Sequence, residues 1–455
     1  MKKRTLIVIF IIGLLLLVVL SFGIYGCLSY QNSKKPQNIE VFSCLPSEIV
    51  KYRVINGNEK YTLVKDESEW KVEGNDVAVL DQKMVQDVIN GASRITSQGI
   101  LKKKELKEFE VIEVQELELT LSDGSVADLK FVGIKGESCA LRIGDDNDIY
   151  LVRKSTRDIL MASLDKLRVS LVFEELLSRD ELLTYYSFTD YDKTKTIVRL
   201  KNASEISNTK ANRYVMEKPY RKDVDDEKFE QQILVRIPSI ATASYVDDFP
   251  ENLQDYGLDE GSRAELRFKW GDFDETLYLG TNEGGKIHAI KKGKDGVFVI
   301  NSSQLEFLHT EPFYILESGI LSSDVENIYR INVRSEGKSY DITASGKNEA
   351  NAKFYVNGNA ASKIAFDMAV ESLGNLEFFS EIAKAPQNTK DILITVYYDN
   401  QAPVQSISLV PSGNKQYAAF INGKAEFTVN GDAVSSLMTI IKDISNNPMK
   451  TEEKG

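Results

Sequence analysis

An apolar run near the N-terminus constrains this chain more than any other feature. Residues 6–24 carry no charge, and only two glycines and a serine interrupt the larger apolar side chains. A helix of this length, at about 1.5 Å per residue, reaches about 30 Å, which matches the hydrocarbon core of a bilayer. Three cations at positions 2–4 precede the run and favour a cytoplasmic N-terminus. The sequence therefore predicts a single-pass transmembrane helix at the cell membrane, with an extracytoplasmic ectodomain after Cys27.

Two other interpretations of this segment are open. A cleavable signal peptide usually has an apolar stretch of about 7–15 residues, which is shorter than this run. Residues 24–27, Ile-Tyr-Gly-Cys, resemble the lipobox of bacterial lipoproteins, in which the cysteine is lipid-modified, although Tyr25 departs from the usual small or aliphatic residue. Lipidation of Cys27 would also tether the protein. The polar residues that follow are interpreted as a short stalk.

The composition is that of an ordinary globular protein. The chain has 455 residues, of which 42% are hydrophobic and 27% are charged. This length suggests roughly three domains of about 150 residues each. The net charge of −12 opposes binding to nucleic acid, because phosphate groups would be repelled. We therefore expect no nucleic-acid partner.

The three cysteines do not form a disulfide framework. They are Cys27, Cys44 and Cys139. Such scarcity fits a reducing compartment, and it also fits an exported protein whose core is large enough to need no cross-links. Cys44 and Cys139 could pair, but the sequence gives no distance between them.

The sequence predicts three copies of one structural unit after the stalk. Each copy opens with short runs in which apolar and polar residues alternate, as in half-buried antiparallel strands. These runs lie at residues 52–54, 61–64 and 70–72, then 197–200 and 214–216, then 328–333, 340–342 and 354–356. An amphipathic helix follows in each copy, with Asp81, Asp225 or Asp226, and Ser362 as candidate N-caps.

A four-stranded meander and a short closing helix complete each copy. Turn dipeptides such as Asp123-Gly124 separate its alternating runs, which is the signal of a β-hairpin. The runs lie at 117–121, 129–131, 141–143 and 149–152, then 266–268, 277–279, 287–290 and 297–300, then 392–396, 407–409, 417–420 and 427–429. We predict that the closing helices are capped by Ser155, Ser302 and Asp432. The repeat period is roughly 140 residues.

These patterns predict an α+β fold: an N-terminal transmembrane helix followed by three tandem repeats of antiparallel β-sheet with packed helices. The predicted segments are a basic tip and anchor at 1–27, a stalk at 28–44, repeat units at 45–170, 171–316 and 317–445, and a polar tail at 446–455.

Several short motifs resemble those of a known family. The matching residues are 70–72 (Trp-Lys-Val), 253–259 (Leu-Gln-Asp-Tyr-Gly-Leu-Asp), its degraded copy at 106–109, the hairpin glycines Gly133 and Gly280, and 149–152 leading into Ser155. With these motifs the chain resembles the bacterial family called domain of unknown function 4340 (DUF4340). The resemblance implies a membrane anchor followed by such units. It also implies an extracytoplasmic accessory role beside an ABC transporter, since some members form part of the auxiliary proteins of gliding-motility-type ABC transporters. The implied partner is a permease or auxiliary subunit.

A search for catalytic, cofactor-binding and metal-binding residues assigns none. His288 falls in a predicted strand and His309 in a loop, and neither has a cysteine or carboxylate at ligand spacing, so a structural or surface role is favoured. Residues 144–148 are rich in oxygen ligands but lack the central glycine and distal glutamate of an EF-hand, which favours a hairpin turn over a calcium site. Residues 102–104, three lysines, are interpreted as a solvated loop. We expect no cofactor.

Aromatic residues can either fill the core or line a binding surface. The candidates are Trp70, Trp270, Tyr185, Tyr186, Phe313, Tyr314, Phe378 and Phe379. Core packing between sheet and helix is the favoured interpretation for them.

The sequence thus predicts a non-enzymatic, membrane-anchored scaffold or accessory protein associated with an ABC-type transporter. A second hypothesis is a cell-envelope glycan-binding or small-solute-binding (lipo)protein, with its ligand in an aromatic-lined cleft. A third is a hydrolase of envelope material, which the missing pairing of a nucleophile with a base disfavours.

Overall fold

The computed structural model describes residues 39–113, 115–178, 180–202, 205, 212–322, 324–347, 349–399 and 402–449. The predicted membrane segment, Cys27, most of the stalk and the end of the polar tail lie outside these ranges. Within them, no helix is both long enough and apolar enough to cross a bilayer. The chain divides into two compact units, here called the N-terminal unit, which ends at Ser170, and the C-terminal unit, which begins at Leu171.

The N-terminal unit contains nine strands and four α-helices in its described residues. They are β1 (Ile39–Ser43), β2 (Ile49–Asn56), β3 (Glu59–Asp66), β4 (Glu69–Val72), α1 (Gln82–Ser93), β5 (Arg94–Ser97), α2 (Lys103–Leu106), β6 (Gln115–Leu121), β7 (Val126–Lys135), β8 (Ser138–Ile143), β9 (Tyr150–Arg153), α3 (Lys154–Leu160) and α4 (Leu164–Leu167). Seven of the strands form an antiparallel sheet, sheet I, in the order β4-β3-β2-β6-β7-β8-β9. Strands β1 and β5 pair separately. Strand β1 thus occupies residues that the sequence assigned to the stalk.

Alternation along the strands builds the core of the N-terminal unit. Tyr52 and Val54 of β2 are buried, whereas Arg53 between them is exposed, as a pleated strand requires. Helix α1 packs Val85, Val88 and Ile89 into the same core. It begins where predicted, because the carboxylate of Asp81 accepts hydrogen bonds from the backbone N–H groups of the first turn.

The first half of the C-terminal unit forms a nine-stranded antiparallel sheet, sheet II. Its elements are β10 (Leu183–Thr189), β11 (Lys195–Leu200), β12 (Tyr214–Lys218), β13 (Lys222–Asp223), α5 (Asp226–Phe229), β14 (Thr242–Asp247), β15 (Ala264–Trp270), β16 (Phe273–Glu283), β17 (Lys286–Lys291) and β18 (Val297–Asn301). The strand order is β13-β12-β11-β10-β15-β16-β17-β18-β14. Short 3-10 helices follow β18, at Ser302–Gln304, Glu306–His309 and Pro312–Ile315.

The second half of this unit forms another nine-stranded sheet, sheet III. Its elements are β19 (Ile328–Ser335), β20 (Lys338–Ser345), β21 (Lys353–Val356), β22 (Asn359–Ala361), α6 (Lys363–Gly374), β23 (Phe378–Glu381), β24 (Ile392–Tyr398), β25 (Gln405–Gly413), β26 (Gln416–Ile421), β27 (Lys424–Asn430) and α7 (Gly431–Asn446). The strand order is β22-β21-β20-β19-β24-β25-β26-β27-β23, which matches the order in sheet II strand for strand. The seven strands of sheet I follow the same order as the seven central strands of sheet II, β12-β11-β10-β15-β16-β17-β18.

The predicted fold class is wrong. The protein is mostly β, with 45% of its residues in strands, 23% in helices and four sheets, and the described ranges contain no helix that could span a membrane. One cause is the second predicted helix, which breaks after four α-helical residues into the π-helix Glu230–Leu234 and the 3-10 helix Ile237–Ser239. Pro238 lies in this last turn, and proline lacks the N–H group that continues a helix.

The predicted caps of the closing helices are also corrected. The N-cap residues are Arg153 and Asn430 for α3 and α7, so Ser155 and Asp432 lie inside the helices. The side chain of Asn430 accepts a hydrogen bond from the backbone N–H of Asp432. Ser302 is the first residue of a three-residue 3-10 helix rather than the cap of an α-helix.

Candidate functional site

The C-terminal unit contains an open cleft with a volume of about 590 Å³. Its walls come from the β10–β11 hairpin, the turn at Pro219–Tyr220, the 3-10 segments around His309–Tyr314 and the edge strand β23. The cleft thus lies between elements of sheet II and an edge of sheet III. Its volume is within the range of about 300–1,000 Å³ that is typical of ligand pockets.

An aromatic cluster beside the cleft holds the two sheets together. Phe427 of β27 packs against Tyr220, Phe313 and Phe378, with ring centroids 4.8, 5.5 and 4.7 Å apart. Although Phe427 belongs to sheet III, it is buried in the hydrophobic core of sheet II. Aromatic pairs at these distances attract each other in tilted and edge-to-face arrangements. Tyr220 and Phe313 also line the cleft, so packing in this cluster fixes the position of part of its wall.

Two exposed aromatic residues lie at the rim of the cleft, each next in the chain to a member of the aromatic cluster. Tyr314 follows Phe313 in the chain and is 59% exposed, and Phe379 follows Phe378 and is 51% exposed. In strand β23 successive side chains point to opposite faces, so Phe379 faces outward where Phe378 faces the cluster. Exposed aromatic faces at the edge of a cavity are characteristic of binding surfaces.

Polar groups with defined partners also line the cleft. His309 Nδ1 is 3.3 Å from Asp190 Oδ2, and the His309 ring packs edge-on against Phe188 with centroids 5.7 Å apart. Burial, together with a hydrogen bond to Glu381, raises the pKa of Tyr220 far above its ordinary value. The Tyr220 hydroxyl therefore stays protonated at neutral pH and donates to the Glu381 carboxylate.

The cleft carries an excess of negative charge. The carboxylates of Asp190, Glu311 and Glu381 line it, against the ammonium group of Lys195 and the imidazole of His309. A concave surface of one sign concentrates ligands of the opposite sign and repels those of the same sign. The arrangement therefore suits neutral or cationic ligands that can accept and donate hydrogen bonds.

The chain was compared with protein-family models, with curated proteins and with solved structures, and one family model matches. A family model described as a domain of unknown function, DUF4340, matches residues 215–391. The match supports the DUF4340 family. The segment that matches DUF4340 begins in β12 and ends at the residue before β24, so it includes Tyr220, His309 and Glu381 of the cleft but not Asp190. The searches of curated proteins and of solved structures found no match.

The motifs that carry the DUF4340 resemblance have a packing role. The 3-10 helix Leu253–Tyr256 ends at Gly257, whose φ of +65° is in the left-handed region. The loop lies against β16, so that a Cβ atom on Gly280 would be 2.0 Å from the carbonyl oxygen of Tyr256. In the N-terminal unit, a Cβ atom on Gly133 would be 2.9 Å from Cβ of Phe109. Both glycines therefore allow a loop to contact the strand backbone directly.

The two histidines have different environments. His288 is buried on β17, and its Nδ1 atom is 3.1 Å from the hydroxyl of Thr281, with the Tyr256 ring at 5.4 Å. This is a packing and hydrogen-bonding role, as expected. His309, expected in a loop with a structural or surface role, lies in the 3-10 helix Glu306–His309, is about half exposed and lines the cleft.

Two of the remaining sequence candidates, Lys103 and residues 144–147, line a second open cleft, of about 650 Å³, in the N-terminal unit. Residues 144–148 form the turn between β8 and β9, where Asp146 accepts hydrogen bonds from Asp148 N–H and the Tyr150 hydroxyl. Lys103 and Lys104 begin the short helix α2 instead of a loop. Across the described ranges, no group of three or more His, Cys, Asp or Glu residues is arranged to hold a metal ion.

Cys44 and Cys139 are free thiols and do not form a disulfide. Cys44 is half-buried and Cys139 is buried in the core of the N-terminal unit. Burial raises the pKa of both thiols. Both thiols are therefore protonated at neutral pH, a state in which cysteine is a poor nucleophile.

Sequence reasoning missed Asp190, Tyr220 and Glu381 as cleft residues. They come from three segments that are far apart in the chain, and none belongs to a local motif. Tyr314 and Phe379 were named among the aromatic candidates, for which core packing was favoured. A doubled aromatic residue at a strand edge or in a 3-10 turn was the available signal, because one ring of such a pair must face outward.

Proposed function

We propose that this protein is a membrane-anchored extracytoplasmic accessory protein that binds other molecules and does not act as an enzyme. The cations at positions 2–4 and the apolar sequence that follows support the anchoring and the orientation. Resemblance to the DUF4340 family, matched over residues 215–391, supports the accessory role. Its partner is a permease or auxiliary subunit of an ABC-type transporter.

One structural observation carries the proposed contact with a protein partner. Strand β14 is the outermost strand of sheet II and is six residues long. Val246 within it is 46% exposed, and Phe249 just after it is 60% exposed. A strand at the edge of a sheet can be extended by a strand from a partner, and flanking apolar side chains add contact area.

Co-purification after mild crosslinking of membranes tests this proposal. We expect the full-length protein to recover a transporter component, and the double variant Val246→Asp/Phe249→Asp to lose it. Val126→Asp is a matched control, because Val126 is 58% exposed on a strand of the N-terminal unit. Recovery of no transporter component with the unchanged protein would contradict the accessory role. Equal recovery with the double variant would contradict the edge-strand contact.

The cleft favours a second candidate function, the binding of a cell-envelope glycan or a small solute. The observation that supports it is the cavity of about 590 Å³ with exposed aromatic side chains at its rim. A thermal-shift screen of sugars, amines and amino acids against the full-length protein tests it. A ligand that binds only the folded protein stabilises it by about 2.7 kcal/mol at a hundredfold excess over Kd. No shift with any compound would count against this function.

A further inference from the structure

We propose that the cleft of the C-terminal unit binds a saccharide chain that is neutral or carries amino groups. This inference rests on the second candidate function, binding in the cleft, and names the class of ligand. It is independent of the transporter partner.

The rim residues supply two flat apolar surfaces. Tyr314 comes from the segment after sheet II, and Phe379 comes from the edge strand of sheet III, so the rings belong to two different walls of the cleft. A pyranose ring has one face of C–H groups, which packs on an aromatic ring, while its hydroxyl groups point outward. Phe313 and Phe378, the neighbours of these residues, are held in the packed cluster with Phe427, which fixes the position of both walls.

The polar groups that line the cleft match the hydroxyl groups of a sugar. Each sugar hydroxyl both donates and accepts a hydrogen bond, so it needs partners of both kinds. The carboxylates of Asp190 and Glu381 accept, and the side chains of Thr196 and Thr310 do both. Asp190 and Glu381 are already oriented by His309 and Tyr220, which reduces the ordering that a ligand must impose.

The charge of the cleft selects among glycans. Three carboxylates face one lysine, and the Coulombic influence of Glu311 and Glu426 reaches the Tyr220 hydroxyl as well. A glycan with carboxylate, phosphate or sulfate groups would be repelled, whereas an acetylated or free amino sugar would not.

The openness of the cleft favours a chain over a single small molecule. A small ligand usually has about 70–90% of its surface buried in its pocket. Here the rings at the rim stay more than half exposed, at 59% and 51%, so they leave room for a ligand that continues beyond the cavity. A chain gains its affinity from several adjacent contacts of this kind.

Calorimetric titration of the full-length protein in nanodiscs of neutral lipid tests the inference. The probes are a tetramer of N-acetylglucosamine, its deacetylated form and a tetramer of galacturonic acid. We expect the first two to bind and the third not to bind. Tyr314→Ala and Phe379→Ala should each weaken binding about fivefold, since an aromatic contact contributes about 1 kcal/mol. Val404→Ala is the control, because Val404 is a similarly exposed apolar residue of the C-terminal unit, at 54%, and lies outside the cleft.

The outcomes separate the saccharide inference from cleft binding in general. If an amine or amino acid from the thermal-shift screen binds and depends on Tyr314, while no tetramer binds, the cleft is a ligand site and the saccharide inference is wrong. Stronger binding of the galacturonic acid tetramer would also overturn it, as would unchanged affinity in the double variant Tyr314→Ala/Phe379→Ala. If nothing binds by either method, both the inference and the second candidate function fall.

Discussion

At the scale of single residues, two tyrosine hydroxyls connect the sheet of the N-terminal unit to the segment that closes it. Tyr52 donates to the carbonyl oxygen of Leu160 and Tyr61 to that of Ala162, each at 2.6 Å. Both rings are buried, and burial raises the pKa of both hydroxyls, so they act as donors over the whole physiological pH range. These bonds satisfy the carbonyl group of Leu160, the last residue of α3, and that of Ala162 just after the helix.

Replacing Tyr52 by phenylalanine should therefore destabilise the protein. The variant keeps the ring but leaves the Leu160 carbonyl without its donor, and an unsatisfied buried group costs about 1–3 kcal/mol. Urea unfolding of the N-terminal unit measures the change. Tyr150→Phe is the control, since the Tyr150 hydroxyl bonds to an exposed Asp146 carboxylate and its loss should change stability by less than about 0.5 kcal/mol. Equal effects of the two substitutions would contradict this account.

An ion pair on the β15–β16 hairpin makes the stability of the fold depend on pH in the acidic range. Arg267 donates two hydrogen bonds to Asp274, both at 3.1 Å, and this lowers the pKa of the Asp274 carboxyl. A lowered pKa stabilises the fold above the unfolded value of about 3.9, and this contribution is lost as the pH falls through the folded value. We predict that Asp274→Asn is less stable than the unchanged protein at pH 6, and that this difference shrinks below about pH 4. A constant difference in urea unfolding between pH 6 and pH 2 would disprove the assignment.

At the scale of elements, the sequence predicted local features well where a side chain acts on its own neighbours. Asp81 and Ser362 cap their helices as expected, through hydrogen bonds to the first-turn N–H groups. The turn at residues 123–124 joins β6 to β7 as expected. The pairing of β14 with β18 and of β23 with β27 was not predicted, because only the folded sheet brings these distant strands together.

The loop at residues 253–257, which packs against Gly280 of β16, gives a prediction at the scale of elements. Gly280→Ala places a methyl group against the Tyr256 carbonyl, which must move with its loop. Overpacking of this kind costs about 1–3 kcal/mol, and chemical denaturation of the C-terminal unit measures it.

Gly91→Ala is the contrasting variant for this prediction. Gly91 lies inside α1, and its Cβ atom would meet Ile159 at 3.4 Å, an ordinary contact. Alanine is favoured over glycine in a helix by about 1 kcal/mol, so this change should be neutral or stabilising. A harmless Gly280→Ala would show that the loop does not need direct contact with the strand.

At the scale of the whole molecule, the balance of helix and sheet was the main error of the sequence interpretation. Strand runs were recognised in all three copies, but the short edge strands β13 and β22 carry too few residues to show a period. The helical stripe at residues 229–237 was read as one helix, although its spacing is compatible with the π and 3-10 turns that form. The division into three repeat units stays a prediction.

The cleft could be predicted only in part, because it is assembled by the fold. Its residues come from segments near positions 190, 220, 310 and 380, and nothing in any one segment indicates the others. The aromatic doublets were visible in the sequence, and their outward members became recognisable once strand direction was known. The acidic character of the body, by contrast, was evident from composition and recurs in the cleft.

The central claim is that the body of this protein lies outside the cytoplasm, held to the membrane by its N-terminal sequence. Labelling of Val111→Cys by a membrane-impermeant maleimide in spheroplasts tests it most directly, because Val111 is 85% exposed, whereas Cys44 is half-buried and Cys139 is buried. The unchanged chain is the control for labelling of the native cysteines. We predict strong labelling of the variant in intact spheroplasts, with the labelled protein in the membrane fraction. Labelling that appears only after lysis, or a labelled protein that stays soluble, would contradict the claim.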